Sequence, residues 1–309
     1  MKSILIITNT IDLTVDYLID KYSDQINFFR FNTDRFQDYN IQITYEDTII
    51  EYVDKSSSLR LSKCDALYYR KISLPSLDDY PLQYQQMMQQ EMMTVIDGIA
   101  ETAGNLAITR PSIMRRADNK VVQLQVAKEV GFLLPTSLIT NFDCAAEKFS
   151  TTNRAIIKPI SFGRIVGSEK VGFIQTNMVK KKEKITGLSY SPAYFQSYQT
   201  KDYEIRLTIV NNQFFGVRID SSDKVDWRKE NAVLQYKKIN IPTSIAEKCL
   251  YMMRRLKLTF AAFDFIVSRG EYIFLELNAN GQWLWLENEL NLGIADALIK
   301  NLCKDEKDE

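Results

Sequence analysis

The feature that most constrains the fold is a pair of apolar segments near the C-terminus with a short polar stretch between them. The segments read AAFDFIV (261–267) and YIFLELN (272–278), and SRGE (268–271) separates them. Aromatic and β-branched runs bounded by glycine and charged residues are typical of strands joined by a tight turn. We therefore predict an antiparallel hairpin whose apolar side chains are buried.

Three polar side chains interrupt this hairpin: Asp264 in the first segment, and Glu276 and Asn278 in the second. Because side chains alternate faces along a strand, we expect Phe274, Glu276 and Asn278 to share one face and the leucines between them to share the other. A hairpin can bring two carboxylates and an amide oxygen together, and Mg²⁺ prefers such oxygen ligands. The residues alone predict a Mg²⁺ site, with hydrogen-bonded side chains at strand ends as an equally open alternative.

Length and charge limit the class of protein. The chain has 309 residues, enough for two or three compact units, and 45% hydrophobic with 25% charged residues is ordinary for a globular protein. Lys plus Arg and Asp plus Glu number 39 each, so no overall field favours nucleic acid or an anionic membrane. No apolar run approaches a membrane span, and the N-terminus turns polar too early for a signal peptide, so we expect a cytoplasmic protein.

The absence of histidine excludes several kinds of chemistry. His-ligated metals, the Ser-His-Asp triad and Cys-His nucleophilic catalysis are all ruled out. The four cysteines are scattered, without a CxxC pair, which argues against a zinc site or a disulfide framework. Any chemistry must use carboxylates, lysine and arginine.

The first 111 residues predict an α/β domain that opens with a βαβ unit. Four segments have the composition of strands: SILIIT (3–8), NFFRFN (27–32), the half-exposed IQITYED (41–47) and the more buried ALYYRKI (66–72). DLTVDYLIDKY, after the first strand, and the Gln- and Met-rich residues 80–103 are expected to be helices, the latter ending at Gly104.

Beyond Pro111 the pattern continues to mix helices and strands. One amphipathic helix is predicted from Met114 to Val130, ending at Gly131, and another from Ser244 to Leu256. The segments expected to be strands are LLPTSLIT (133–140), AIIKPI (155–160), YFQSY (194–198), EIRLTIV (204–210) and FFGVRI (214–219).

Two lysines indicate a binding site for an anion. Lys158 lies in the apolar strand AIIKPI, where an ammonium is costly unless an anion is next to it, and the glycine-containing loop 161–173 that follows can lay backbone N–H groups over phosphates. Lys120 offers a second ammonium near the start of a helix. An ordinary exposed helical lysine explains Lys120 equally well.

These elements, in this order, resemble the ATP-grasp fold. Three stretches narrow the resemblance to the ATP-grasp peptide maturases that make graspetides such as microviridins: RRADNKVVQLQVAKEVGFLLPTS (115–137), DYEIRLTIVNNQFFGVRI (202–219) with DWR (226–228) after it, and LELNANGQWLWLE (275–287). The likeness covers the last two thirds of the chain well and the first hundred residues more loosely. The chain reads NAN where that family has NPN, and QSY replaces a more acidic hinge, which affects the adenine and ribose contacts more than the class.

The resemblance implies a mixed α/β (α+β) ATP-grasp fold with three parts. Residues 1–111 would form the N-terminal pre-ATP-grasp domain. Residues 112–190 would form a central subdomain that covers the nucleotide and contacts a leader peptide. Residues 191–309 would form the C-terminal subdomain with the metal site.

The resemblance also implies roles for individual residues. ATP would be held by Lys120, Lys158, Gln196, Ser197 and Tyr198, the last three through their backbone. Arg206 and Arg218 would contact the phosphate and the acyl phosphate. Asp220 or Asp226 would serve as base or orienting group, and Arg228 would hold the incoming carboxylate. From spacing alone, a solvated loop is the alternative interpretation of residues 220–228.

The implied activity is that of a macrocyclase that uses ATP and Mg²⁺. It would phosphorylate Asp or Glu side chains of a ribosomally made precursor peptide and join them to Ser or Thr as ω-esters, or to Lys as ω-amides. The partner would be that peptide, with a leader and a Thr/Ser- and Asp/Glu-rich core, and the enzyme would be a homodimer. Two alternatives stay open: a RimK-like ligase that adds amino acids to an acid, and a module that binds ATP or peptide without catalysis.

Overall fold

A computed structural model describes residues 1–161, 163–166, 171–173, 176–180, 184–223 and 233–304. The strands are β1 Lys2–Thr8, β2 Ile26–Asn32, β3 Tyr39–Ile43, β4 Thr48–Tyr52, β5 Ser58–Arg60, β6 Ala66–Tyr69, β7 Leu106–Ile108, β8 Ser137–Thr140, β9 Ala155–Lys158, β10 Arg164–Val166, β11 Val171–Phe173, β12 Asn177–Met178, β13 Ala193–Ser197, β14 Tyr203–Val210, β15 Gln213–Ser221, β16 Leu234–Ile239, β17 Phe260–Ser268 and β18 Glu271–Asn278. The helices are α1 Leu13–Tyr22, α2 Leu82–Thr102, α3 Pro111–Asp118, α4 Lys120–Val130, α5 Asp143–Thr152, α6 Thr243–Leu256, α7 Leu284–Leu290 and α8 Ile294–Leu302. No helix in the described ranges is both long and apolar enough to cross a membrane.

A parallel sheet of order β2-β1-β6-β7 forms the N-terminal part, and the predicted βαβ opening is confirmed. Its strands are apolar because both faces of a parallel sheet are covered. The prediction of one strand over 41–47 was wrong. The chain turns after Ile43, where Thr44 N–H donates to the Asp47 carbonyl (3.0 Å), and returns as β4 and β5 in a small antiparallel sheet.

The helix predicted from Met114 to Val130 is two helices, because the chain breaks at Asn119. The Asn119 Oδ1 accepts hydrogen bonds from the N–H groups of Val121 (3.0 Å) and Val122 (3.3 Å), so Asn119 caps a new helix. Gly131 ends that helix in the left-handed region, as expected (φ +83°). Lys120 therefore begins α4.

The central part is a small sheet of order β12-β9-β13-β8, with α5 packed on it. The strand predicted over 133–140 is confined to Ser137–Thr140. The strands of this sheet contain between two and five residues.

The C-terminal sheet is antiparallel, with the order β16-β15-β14-β17-β18, and the predicted hairpin forms its β17–β18 edge. One face packs on α4 and α6 in the largest apolar core of the described chain. After β18 the chain returns to the N-terminal sheet. There the fully buried Trp283 and helix α8 pack against Ile4, Ile6 and Val15. Residues far apart in sequence thus share the N-terminal core.

Candidate active site

A β-bulge positions the polar residues of the hairpin. Asp264 pairs with Glu276, but the next residue of β17, Phe265, pairs with Phe274, so Leu275 is the extra residue. Because of this bulge Phe274 turns into the apolar core, and the expectation that it shares a face with Glu276 was wrong. Asp264, Glu276 and Asn278 do lie on one face, and the Asn278 amide donates to Asp264 Oδ2 (3.3 Å).

Arg206 neutralises the first carboxylate. It is the direct partner of Asp264 across β14 and β17, and its Nη1 donates to both carboxylate oxygens at 2.9 and 2.8 Å. Its Nη2 donates to the Gln282 carbonyl (3.2 Å). A Cβ at Gly281 would lie 2.7 Å from that Nη2, so only glycine fits beneath the guanidinium. The buried Arg206 Nε–H has no partner among the described residues, which leaves a donor for an anion or a water.

Lys120 neutralises the second carboxylate, with its ammonium 2.8 Å from Glu276 Oε2. Two residues that sequence reasoning missed hold the start of α4 against β18. Asp118 accepts a hydrogen bond from Ala279 N–H (2.9 Å), and Gln123 donates to the Leu277 carbonyl (2.7 Å) and accepts from its N–H (3.1 Å). In the sequence, the only indication of their role is that polar side chains occur on both sides of the start of this helix. Burial raises the pKa of Asp118, which the nearby Lys120 lowers and Glu276 raises.

Lys158 is the last residue of β9, in the central sheet. Its ammonium donates to Gln196 Oε1 (3.0 Å) and lies 4.8 Å from the centre of the Tyr194 ring. The Gln196 amide in turn donates to the Tyr194 hydroxyl (3.0 Å). Burial raises the pKa of Tyr194, and the charge of Glu276 adds to that rise, so Tyr194 of the central sheet lies within electrostatic range of this hairpin carboxylate.

The residues predicted to line the adenine pocket lie on β13 and directly after it. Gln196 is buried and engages Lys158 through its side chain. The backbone N–H groups of Ser197 and Tyr198 donate to the carbonyls of Thr136 (2.8 Å) and Arg154 (2.6 Å). Contacts to a nucleotide base from these two residues would therefore come from carbonyl oxygens or side chains.

Arg218 and Asp220 are not brought together with this group. Arg206 pairs with Val217 on β15, so Arg218 pairs with Ile205 and its side chain leaves from the opposite face of the sheet. Arg218 binds Asp220 through two hydrogen bonds of 2.7 Å and lies over the Tyr203 ring. Asp226 and Arg228 lie outside the described residues.

The described residues fit a magnesium–nucleotide complex. No cluster of three or more His, Cys, Asp or Glu occurs in the described part of the chain, so a cage built entirely of such side chains is absent there. Asp264, Glu276 and the Asn278 oxygen are a hard, partial ligand set of the kind that suits Mg²⁺, which keeps positions for phosphate oxygens and water. Lys120, Lys158 and the unpartnered Arg206 Nε–H supply the matching positive groups for phosphates.

Comparison with known proteins gives the class. Residues 3–112 match the family model described as the MvdD pre-ATP grasp domain. The whole chain is similar to a RiPP-associated ATP-grasp ligase of Chryseobacterium gregarium, solved with ADP and a leader and core peptide, at 27% identity and a TM-score of 0.87, covering 98% of this chain and 97% of that one. It is similar to macrocyclase MdnC of Microcystis aeruginosa, solved with precursor peptide MdnA, at 28% identity and a TM-score of 0.86, covering 97% and 98%.

A more distant comparison marks the fold alone. The D-alanine–D-alanine ligase of Bacillus anthracis aligns over 98% of this chain and 97% of its own, with 12% identity and a TM-score of 0.60. A sequence search of curated proteins gives no match.

The N-terminal domain match and the similarity to solved ligases over nearly the whole chain identify an ATP-grasp ligase. Within that class, the solved structures to which the chain is similar over nearly its whole length include a RiPP-associated ligase and a macrocyclase. Residues 3–112 carry the MvdD-type pre-ATP grasp domain, and the whole chain is similar to RiPP-associated ATP-grasp ligases and macrocyclases at 27–28% identity.

Proposed function

We propose that the chain is an ATP- and Mg²⁺-dependent macrocyclase that joins Asp or Glu side chains of a ribosomally made precursor peptide to Ser, Thr or Lys side chains. The observation that carries this proposal is the pair of ion pairs on one face of the hairpin. Lys120 meets Glu276 and Arg206 meets Asp264, each at 2.8 Å, with Lys158 on the facing sheet. The peptide-bound relatives, similar over nearly their whole length, supply the class of substrate.

The first chemical step would activate a carboxylate of the peptide. Its oxygen attacks the terminal phosphoryl group of ATP, and ADP leaves as the acyl phosphate forms. Lys120 and Lys158 would hold phosphate oxygens, and Arg206 would direct its free Nε–H at the transferring group. Asp264, Glu276 and Asn278 would hold Mg²⁺, which neutralises charge on that group when bound.

The second step would close the ring. A hydroxyl or amine of the same peptide attacks the acyl carbon, its proton passes to a base, and phosphate leaves, so each ring costs the peptide one water. Because the chain lacks histidine, a carboxylate is the expected base. Asp226 and Asp220 remain the predictions for that role, and Arg228 remains the prediction for holding the acid side chain. Asp220 is tied to Arg218, so its use would require that pair to open.

The proposal also includes the domain boundaries, the binding site of the leader peptide, the oligomeric state and the location in the cell. The division at residues 111 and 190, a leader peptide on the central part and a homodimer remain expectations from the resemblance, and a cytoplasmic location remains an expectation from the sequence. The packing of α8 on the N-terminal sheet means that residues 1–111 bury part of their core only with the C-terminal residues present.

The test is mass spectrometry of a precursor peptide treated with the protein, ATP and Mg²⁺. A suitable peptide would be encoded beside the gene and would be rich in Thr or Ser and in Asp or Glu. We expect products that have lost one water for each ring, and none without ATP. Addition of a free amino acid to the peptide would indicate the RimK-like activity, and an unchanged peptide with no ATP consumption would indicate a binding module.

A further inference from the structure

A buried arginine of the N-terminal domain lies next to the segment that follows the metal-binding strand. Arg70 comes directly after β6, and its side chain is completely buried. Its Nε and Nη2 donate to the two oxygens of Asp12 at 2.8 and 3.1 Å, and its Nη1 donates to the Tyr68 hydroxyl at 2.9 Å. Each nitrogen of this guanidinium thus has a partner, so the group is fixed in one position.

This network extends to the C-terminal part of the chain through two side chains. The Asn280 amide donates to the Arg70 carbonyl (2.9 Å), and its oxygen lies 3.4 Å from Arg70 Nη1. The indole N–H of Trp283 donates to the same Tyr68 hydroxyl (3.2 Å). Residues 210 positions apart are therefore held by a two-point amide contact.

The segment between Asn278 and Trp283 is also held from its other side. Asp118 accepts from Ala279 N–H, Arg206 donates to the Gln282 carbonyl, and the close approach of Arg206 leaves no room for a side chain at Gly281. Asn278, two residues before Asn280, is one of the three metal-site residues. A shift of Asn280 would therefore move Asn278.

We propose that Asn280, docked on Arg70, is a positioning residue that fixes the end of β18 and with it the Asn278 ligand of the metal site. This inference rests on the proposed function, because it concerns the affinity of that site for its metal. Partners that orient metal ligands from behind typically contribute about 10- to 100-fold to affinity. Arg70 and Tyr68 would act through Asn280, without touching the metal or the nucleotide.

The test measures metal binding and needs no turnover. Mn²⁺, used as the probe, is titrated into the ADP-loaded full-length protein and followed by electron paramagnetic resonance. We expect Asn280→Ala to weaken Mn²⁺ binding by about tenfold. ADP affinity in the presence of a chelator should stay within about twofold of wild type, because Asn280 contacts Arg70 and not the lysines.

Arg110→Lys is the matched control. Arg110 also belongs to the N-terminal domain, but it donates to the carbonyls of Ala100, Glu101, Ala103 and Gly104 at the end of α2. We expect this variant to lose thermal stability and to keep the Mn²⁺ affinity of wild type. Tyr68→Phe, which keeps the ring and removes the hydroxyl shared by Arg70 and Trp283, should weaken Mn²⁺ binding in the same direction and replaces Asn280→Ala if that variant fails to fold.

The outcomes separate the two proposals. Unchanged Mn²⁺ affinity in a folded Asn280→Ala or Tyr68→Phe protein would overturn the positioning role and leave the proposed function in place. Equal weakening in Arg110→Lys would also overturn it, because a general loosening of the domain would then explain the effect. Absence of Mn²⁺ binding to the ADP-loaded wild type would remove both proposals.

Discussion

The C-terminal sheet and the central sheet carry the two halves of the proposed site, and they differ in the length of their strands and in their share of the apolar core. Strands β14, β15, β17 and β18 pair with one another over seven or eight residues, and one face of the sheet lies in an aromatic core that includes Phe263, Phe265 and Phe274. The central strands are two to five residues long, and none of their described residues belongs to the four apolar clusters of the described chain.

The difference matches the groups that each sheet carries. Metal ligands must keep their geometry to a fraction of an ångström, and the C-terminal sheet holds the proposed ligands Asp264, Glu276 and Asn278 on a stiff base. A nucleotide must enter and leave, and elements that open are drawn from regions with few buried contacts. Lys158 lies on such an element. In the proposed mechanism the central sheet would close on ATP, while the sheet that carries the proposed metal ligands stays fixed.

The largest effect is expected from Glu276→Gln, on the stiff side. The change removes a charge of the metal site and keeps the shape, so ring formation should fall by at least about 100-fold, since metal stabilisation of the transition state contributes several kcal/mol. The fold should survive, because Glu276 is partly exposed and lies outside the core.

The measurement is product formation by mass spectrometry beside a thermal melt. Glu129→Gln is the control, since Glu129 forms an ion pair with Arg255 (3.0 Å) at the surface. Near wild-type ring formation by the Glu276 variant would remove the metal site from its assigned place.

Replacing a buried phenylalanine by alanine should have a different effect on unfolding in each of the two sheets. Phe263→Ala removes a fully buried ring from the main core and should cost about 3–5 kcal/mol of global unfolding free energy. Phe195→Ala removes an equally buried ring of β13, but the loss should appear as local opening of the central sheet.

Hydrogen exchange followed by mass spectrometry distinguishes the two responses. The Phe263 variant should lose protection throughout the chain, and the Phe195 variant mainly in residues 137–197. Uniform loss in both variants would show that the two sheets unfold as one unit and would end the contrast drawn between them.

Lys158→Met should act on affinity, with little effect on stability. The variant keeps most of the aliphatic stem over Tyr194 and removes the charge. Because hydrogen bonds to charged groups contribute about 1.5–3 kcal/mol, ATP affinity should fall about 10- to 100-fold. Calorimetric titration of ATP measures this, with Lys148→Met on the central helix α5 as a charge-matched control. An unchanged dissociation constant would exclude Lys158 from the phosphate site.

The smallest effect is a pH dependence at the junction of α3, α4 and β18. Burial raises the pKa of Asp118 above its ordinary value of 3.8, so the folded protein holds this proton more tightly than the unfolded chain. Between the two pKa values the folded state binds more protons, and stability must therefore fall as pH rises through that window.

Asp118→Asn keeps an acceptor for Ala279 N–H and cannot ionise. Relative to wild type, the variant should gain stability over the same rise in pH. Urea unfolding at a series of pH values beginning at about 4 measures the difference. Parallel stability curves for the two proteins would show that Asp118 is not the titrating group.

Local sequence pattern predicted much of the frame on which the site is built. The β17–β18 hairpin, the βαβ opening and the lone lysine of β9 are local features, set by alternation, apolar runs and turn residues. The break at Asn119 was also legible, because Asn is a preferred helix cap, but the amphipathic pattern continues across it and hid the boundary.

What could not be predicted depends on contacts between distant residues. The bulge at Leu275 is set by packing of Phe274 in the core, and it changes which residues share a face. Arg218 lies on the face opposite Arg206 because of a register that only the paired strands define. Asn280 meets Arg70 across 210 residues, and no local pattern encodes that contact.

The most direct test of the account follows oxygen from the peptide. A precursor whose Asp and Glu carboxylates carry a heavy oxygen isotope is incubated with the protein, ATP and Mg²⁺, and the released phosphate is analysed by mass spectrometry. If the peptide carboxylate attacks ATP, each ring closed must deliver one heavy oxygen to phosphate. Phosphate that carries oxygen only from the solvent, while rings still form, would contradict activation of the peptide at this site.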